Sequence, residues 1–301
     1  MIEKRKKKQE TRYLVLFFLI GCVSFAQTRG VVKDSISGNP IPYVSVWVEN
    51  EAIGTTSEEN GEFVINVSDK NKNLVFSALG FKKKTVKASE SKSVALSMDA
   101  VEIGEILISN NRKEKTQIEI GKTKNRVAEA FDNGPKMDAK FFPYLPEYKK
   151  TNWIKKASIT VDSKIEDAII RIQLYGVDAN GFPSEELLDK NYIVTIKKGI
   201  TKQEVDLTDF NLEMPETGVF VVFERLLIQK NKITRTITDY NSNTTKTKIS
   251  FAPQVLYNAV EKEYLYSFSG GKWIRQTKEE LNPYGKGKMI YEPSINLILT
   301  N

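Results

Sequence analysis

The 301-residue sequence predicts an all-β protein of two β-sandwich domains behind a signal peptide. Three observations lead there. Short apolar runs alternate with polar residues at a spacing of two and are bounded by Gly, Pro and Asn, the pattern of half-buried strands. A basic stretch followed by a short apolar one opens the chain. The sequence contains no histidine and one cysteine, so packing must hold the fold, without disulfides or sulfur-bound metal.

Lys4, Arg5, Lys6, Lys7, Lys8 and Arg12 form the basic region, and residues 13–20 the apolar one. The apolar run is shorter than the roughly 20 residues a membrane-spanning helix needs. It fits a signal peptide over 1–26, with Ser24-Phe25-Ala26 as a small-x-small cleavage site before Gln27. Leu19-Ile20-Gly21-Cys22 also matches a bacterial lipobox, which makes Cys22 a candidate lipidation residue and a route to membrane attachment. The apolar residues 23–26 are unlike the polar tether that usually follows a lipidated cysteine, so release at Gln27 is placed first. Residues 1–26 carry a net charge of +4, leaving +3 of the total +7 on the remainder. A nucleic-acid partner needs a basic patch on the folded part, and none is expected. Lys82-Lys83-Lys84 reads as a strand edge protected against sheet-to-sheet aggregation.

The first domain is expected over 27–100. Residues 30–34 form a strand, and Gly38, Pro40 and Pro42 turn the chain. Val44, Val46 and Val48 alternate with Ser45, Trp47 and Glu49, giving a strand with one buried face. Residues 54–56 begin a reversal that Asn60-Gly61 completes as a tight turn. Phe63, Ile65 and Val67 alternate in the next strand, and residues 74–79, 81–86 and 94–98 complete six or seven short strands, the signature of a sandwich. Residues 101–116 form a linker, with one further strand over 102–108. The second domain is expected over 117–301, with strands at 154–161, 168–175, 192–197, 219–224, 263–269 and 294–300. Residues 141–146 form an extended lead-in, because Pro143 and Pro146 bias their predecessors toward extended backbone. Ile170, Ile172 and Leu174 alternate with Arg171, Gln173 and Tyr175, as in a half-solvated sheet. Residues 184–189 are read as a short helical turn capped by Ser184. Residues 230–248 form an insertion or long hairpin.

The ordered set Gly30-x-Val32-x-Asp34, Gly38-x-Pro40-Ile41, Val44-x-Val46, Gly54-Thr55-x-Ser57, Gly61-x-Phe63-x-Ile65 and Leu74-x-Phe76-Ser77-x-x-Gly80-Phe81 resembles the carboxypeptidase-like regulatory domain of Bacteroidetes envelope proteins. The resemblance implies a transthyretin-like sandwich and an exported location, with no peptidase activity of its own. Glu105-Ile106-Leu107-Ile108 is similar to the segment that follows this domain in TonB-dependent receptors. Such receptors continue into barrels of about 22 strands, each of about 10 residues. Fewer than 200 residues follow here, so a receptor of that kind is not expected. Ile172-x-Leu174-Tyr175-x-x-Asp178-x-x-Gly181-x-Pro183, with Leu187-Leu188, Ile193-Val194, Val205-Asp206-Leu207, Val219-Phe220-Val221 and Gly271-x-Trp273, is similar to a module of no assigned activity that often follows the first. It resembles a jelly-roll-like or carbohydrate-module-like sandwich.

The missing histidines remove Ser-His-Asp and Cys-His nucleophile systems and the His ligands of most catalytic zinc sites. There is no phosphate-cradling or dinucleotide-binding glycine loop, and no cofactor is expected. Two carboxylates alone can hydrolyse glycosides. Glu58-Glu59 and Glu185-Glu186 are adjacent pairs, but neighbours on a strand face opposite ways, and both read as solvated turn charge. Asp178-x-Asn180-Gly181 has part of a calcium loop without its distal Glu and reads as an ordinary turn. Asp162, Asp178 and Asp206 would converge only through the fold. Trp47 and Trp273 are the candidate ligand-stacking residues, weighed with Trp153 against core or inter-domain packing. Trp47 lies opposite Val44, Val46 and Val48, so it is either exposed or covered by a partner.

These readings converge on an exported, non-catalytic binding, scaffold or accessory protein of the periplasm or outer-membrane surface. Its partner is an unknown envelope protein or a glycan. The alternatives are a carbohydrate-binding protein and a histidine-free hydrolase using paired carboxylates.

Overall fold

The computed structural model describes residues 27–99, 116–123, 128–131, 134–239, 244–281 and 289–301. The signal peptide, Cys22 and the strand expected at 102–108 lie outside the described residues.

The amino-terminal part is two facing sheets. One holds, in spatial order, Glu62–Asn66, Gln27–Asp34 and Ser93–Leu96; the other holds Gly54–Thr56, Ser45–Val48, Asn73–Ser77 and Lys84–Lys87. Gln27–Asp34 runs antiparallel to Glu62–Asn66 and parallel to Ser93–Leu96. Alternation puts Val32, Phe63, Ile65, Val94 and Leu96 of one sheet against Val46, Val48, Leu74 and Phe76 of the other. Phe63 and Phe76 meet edge to face at 5.3 Å between centroids, which contributes about 1 kcal/mol beyond the area buried. Gly61 has φ +77°, the left-handed backbone the Asn60-Gly61 turn requires. Lys84–Lys87 is the outer strand of its sheet, with exposed lysines; of the Lys82-Lys83-Lys84 run read as a strand edge, only Lys84 lies in it, and Lys82 and Lys83 precede it. Residues 54–56 are a strand and not the start of a reversal: the turn comes earlier, at 49–53, and Trp47 pairs with Gly54.

The carboxy-terminal part is a larger sandwich. Its first sheet runs Pro183–Glu186, Ala168–Val177, Val219–Arg225, Met137–Phe142, Tyr264–Ser269, Lys272–Thr277, with Tyr192–Ile196 also pairing with Ala168–Val177. Its second runs Ile290–Pro293, Gln254–Val260, Trp153–Ser163, Ile295–Thr300, Gln117–Ile120. Gly199–Asp206 is added beside Trp153–Ser163 and Ala128–Ala130 beside Gln254–Val260. The core between them is built from Ile154, Ile159, Val161, Ile170, Ile172, Leu174, Val221, Phe223, Leu297 and Leu299, among others. A separate ribbon, Lys232–Asp239 with Thr244–Phe251, is the long hairpin expected near 230–248.

Two further sequence expectations are corrected. Residues 183–186 are a strand, not the opening of a helical turn. The Asp178 carboxylate accepts the amides of Asn180 and Phe182, each at 2.8 Å. That tight turn returns the chain onto the preceding strand, with Tyr175 opposite Glu186. The Ala168–Val177 strand is also not half-solvated. Arg171 is 2% and Gln173 6% exposed, because the amino-terminal sandwich covers the outer face of this sheet.

That covering is specific. Trp47 packs with Met137, Ala139, Phe220, Val222, Tyr266 and Phe268 of the second sandwich, and meets Phe268 edge to face at 5.3 Å. Backbone bonds cross as well: Asn50 N–H donates to the Gly270 carbonyl at 3.0 Å, Leu227 N–H to Thr56 Oγ1 at 3.0 Å, and Gln229 N–H to Glu58 Oε1 at 2.9 Å. Gly270 has φ +61°, and a Cβ there would lie 2.8–2.9 Å from the Asn50 and Glu51 backbone. The two sandwiches are therefore in direct backbone contact at that point.

Candidate functional site: a cleft between the sandwiches

At the centre of the contact is a buried ion pair of the second sandwich that is hydrogen-bonded to the first. Arg171 and Glu224 sit opposite one another on neighbouring strands. Arg171 Nε donates to Glu224 Oε2 at 2.8 Å, and Nη2 also reaches that oxygen. Ser45 of the first sandwich completes the group: its hydroxyl donates to Glu224 Oε1 at 2.8 Å and accepts from Arg171 Nη2 at 3.0 Å. Arg171 Nη1 donates to the Tyr43 carbonyl at 3.0 Å and to Asn191 Oδ1 at 3.3 Å. Burial works against the guanidinium charge; the Glu224 and Glu186 carboxylates outweigh it and hold Arg171 above its ordinary value.

Beside this pair opens a cleft of about 540 Å³ walled by both sandwiches. Ser45, Ser77 and Phe81 come from the first; Arg171, Gln173, Tyr175, Ser184, Glu186 and Trp273 from the second. The strand pair Ala168–Val177 and Pro183–Glu186 positions Gln173, Tyr175, Ser184 and Glu186 on one wall. Trp273 meets Tyr175 at 5.5 Å and Phe268 at 5.3 Å, both edge to face. Burial pushes the Glu186 carboxyl up to about 7; Arg171 opposes this, Glu224 adds to it, and a 3.5 Å bond from Gln173 Nε2 offsets part. Burial, with Glu186 and Glu224, holds the Tyr175 phenol well above its usual range. Gln173 Oε1 and Ser184 Oγ are buried with no hydrogen-bond partner among the described residues. Buried polar groups are rarely left so.

The residues singled out in the sequence fall as follows. Trp273 lines this cleft. Trp47 is 4% exposed and its ring is taken up by Phe268 and its neighbours, so it presents no open face for stacking. Trp153 starts the Trp153–Ser163 strand and is half-buried. Glu185 and Glu186 both line the cleft, Glu185 exposed and Glu186 half-buried. Glu58 accepts the Gln229 amide across the contact. The three aspartates are not brought together. Asp162 holds Lys164 at 2.6 Å. Asp206 caps Thr208 at the other end of the same strand pair, and Asp178 closes its turn on the opposite sheet. Asp162 and Lys156, the partner of Asp206, are six residues apart, or about 20 Å at a strand's rise. No cluster of three or more acidic or cysteine ligands able to hold a metal occurs among the described residues.

A second buried charge joins the sheets of the larger sandwich. Lys140, 3% exposed, donates to the Gly121 carbonyl at 2.7 Å and pairs with Glu292 at 3.2 Å; Glu292 also holds Lys262. Burial, reinforced by Lys262 and opposed by Glu292, lowers the Lys140 ammonium below its ordinary value. The sequence reading missed Arg171, Glu224, Gln173, Ser184, Ser45, Lys140 and Glu292. Each occupies a position in strand alternation that normally faces water, and nothing local marks it as covered.

Residues 28–108 match a known family. The matching family is the CarboxypepD_reg-like domain. The matched stretch contains Ser45, Ser77 and Phe81, which belong to the first sandwich's share of the cleft. The chain is also similar to TonB-dependent receptor P3 of Formosa agariphila, 34% identical over 113 residues. That match covers 36% of this chain and 11% of the receptor, so the chain spans about a tenth of the curated relative's length. Among solved structures, the cysteine protease and lectin-like domains of Cwp84, a surface layer associated protein of Clostridium difficile, align at TM-score 0.34 and 11% identity, covering 86% of this chain and 58% of that one. T=1 particles derived from infectious bursal virus align at TM-score 0.24 and 8% identity, covering 91% and 58%.

Proposed function

We propose that this protein is a non-catalytic binding or accessory module of the bacterial cell envelope, whose two sandwiches act as one body and present the cleft between them to a ligand or partner. The observation that carries this reading is the Ser45–Arg171–Glu224 node beside an open cleft. The first sandwich contributes to a wall instead of hanging on a tether. The match to the CarboxypepD_reg-like domain and the partial likeness to a TonB-dependent receptor support an envelope location. The membrane anchor at Cys22 belongs to the same proposal.

A hydrolase of the two-carboxylate kind needs an acid and a second carboxylate, both facing the substrate. Glu186 has the raised protonation of an acid. Of the nearby carboxylates, Glu224 is committed, with Oε1 accepting from Ser45 and Oε2 from Arg171; Glu185 is next to Glu186 on the same strand, where neighbours face opposite ways; and Asp99 comes from the facing sandwich. Binding is therefore favoured over catalysis. The test is reversible cross-linking in intact cells, followed by gentle extraction of the full-length protein and mass spectrometry. An envelope protein joined through lysines at the cleft rim, such as Lys83 or Lys272, is the expected outcome. A clean monomer under the same conditions removes the reading.

A further inference from the structure

We propose that the inter-sandwich cleft is a saccharide site that accepts neutral pyranose rings; this rests on the binding-module reading above. Four observations point the same way. The cleft's volume, about 540 Å³, lies in the range of small-molecule sites, about 300–1,000 Å³. Its walls mix aromatic and apolar surface, Trp273, Tyr175 and Phe81, with short polar side chains, Ser45, Ser77, Ser184 and Gln173. Two of those polar groups, Gln173 Oε1 and Ser184 Oγ, have unspent hydrogen-bonding capacity, and Gln173 is 6% exposed. Finally, the largest charge in the wall, Arg171, is taken up by Glu224, and the rest of the lining carries both signs, Lys83 and Lys272 with Asp99 and Glu185.

The chemistry that answers such a wall is a ring with an apolar C–H face and a fringe of hydroxyls. The C–H face lies against Trp273. Ring hydroxyls supply a donor to Gln173 Oε1 and a partner of either sense to Ser184, which can donate or accept. A multiply charged phosphate ligand fits poorly, because the guanidinium that would meet it already holds a carboxylate, and Glu186 and Glu224 stand close by. The assignment gives Trp273 and Glu186 one setting, where the sequence offered them as separate candidates. It leaves Trp47 to the packing of the two sandwiches.

The experiment titrates the full-length protein with cellohexaose, maltohexaose, xylohexaose, mannohexaose and laminarihexaose, each to about 1 mM, where weak single-site affinities still register. Tetragalacturonate is the anionic control. Tryptophan fluorescence and calorimetry are the readouts. At least one neutral oligosaccharide is expected to bind saturably and more tightly than the control. Trp273→Ala is expected to weaken it by about tenfold or more, and Ser184→Ala by about threefold to tenfold, the usual value of one hydrogen bond. Trp273 also packs on Phe268 and Tyr175, so its variant could fail to fold. Ser184→Ala removes one unpaired oxygen and is expected to leave the melting temperature unchanged, which keeps the test decisive. No binding by any neutral oligosaccharide, or binding unchanged in Ser184→Ala and in a folded Trp273→Ala, overturns the assignment. If the cross-linking experiment still recovers an envelope partner, the saccharide alone is lost and the binding-module reading stands.

Discussion

The Ser45–Arg171–Glu224 node sets up a double-mutant cycle across the two sandwiches. Arg171 is 2% and Glu224 4% exposed, so neither is screened by water. Glu224→Gln keeps an acceptor but removes the charge, leaving a buried guanidinium with the Tyr43 carbonyl, Asn191 and Ser45 as its remaining partners. Breaking a buried pair from one side costs about 3–5 kcal/mol, and the retained acceptor places this case near the lower end. At about 2–4 °C per kcal/mol for a domain of this size, the melting temperature falls by roughly 6–12 °C. Ser45→Ala removes one bond to each charge, a loss of about 1–2 kcal/mol. Because Ser45 bonds to both partners, the two losses are expected to couple by at least about 0.5 kcal/mol. Urea denaturation of wild type, both single variants and the double variant measures this. Additivity within about 0.3 kcal/mol would refute the reasoning, since it would mean Ser45 does not engage the pair and the sandwiches are not joined there. An Arg171→Met, Glu224→Leu double replacement should sit closer to wild type than either charge deletion alone.

Three further outcomes are expected. Gly270→Ala places a Cβ 2.8 Å from the Glu51 amide nitrogen at a φ of +61°; it should destabilise by about 1–3 kcal/mol, the usual cost of backbone strain, and expose Trp47 to acrylamide quenching, whereas unchanged quenching would count against the contact. Glu186 binds its proton up to about pH 7 when folded against an ordinary 4.5, so folding takes up a proton between those values and stability declines as pH rises through them, then levels off. Unscreened, the shift corresponds to about 3 kcal/mol, and partial exposure reduces it to about 1–2; Glu186→Gln should flatten the slope, and identical slopes would sink the assignment. Lys140→Met should be tolerated less well than Lys262→Met, because it leaves Glu292 buried without its inner partner; a loss of about 3 kcal/mol against under 1 is expected, and equal losses by urea denaturation would contradict the account.

The sequence carried the architecture further than the site. The Val44, Val46, Val48 alternation located both the core face of its strand and the odd position of Trp47 on the other side, because a period of two is a local property. The edge strand was legible in part: the Lys82-Lys83-Lys84 run marks an edge because charge on a short strand resists pairing, but the strand itself is Lys84–Lys87 and takes in only the last of the three. The strand at 183–186 was not, since Ser184 has a helix-capping side chain and only the pairing of Tyr175 with Glu186 decides against the helix. Arg171 and Gln173 were misread as solvated because alternation tells which residues share a face but not what covers it. Here a separate part of the chain covers them, about 130 residues away in sequence for Ser45 and Arg171. The cleft inherits that non-local character. Trp273 and Glu186 could be singled out individually, but their neighbours across the two sandwiches could not.

The claim that matters most is that the two sandwiches behave as one body, because the cleft exists only between them. Differential scanning calorimetry of the full-length protein and its Trp47→Ala variant tests it directly. The account predicts one cooperative transition, lowered as a whole in the variant by the loss of about 3–5 kcal/mol that a buried aromatic contributes. Two separate transitions in the wild type, with the larger one unmoved by Trp47→Ala, would contradict it.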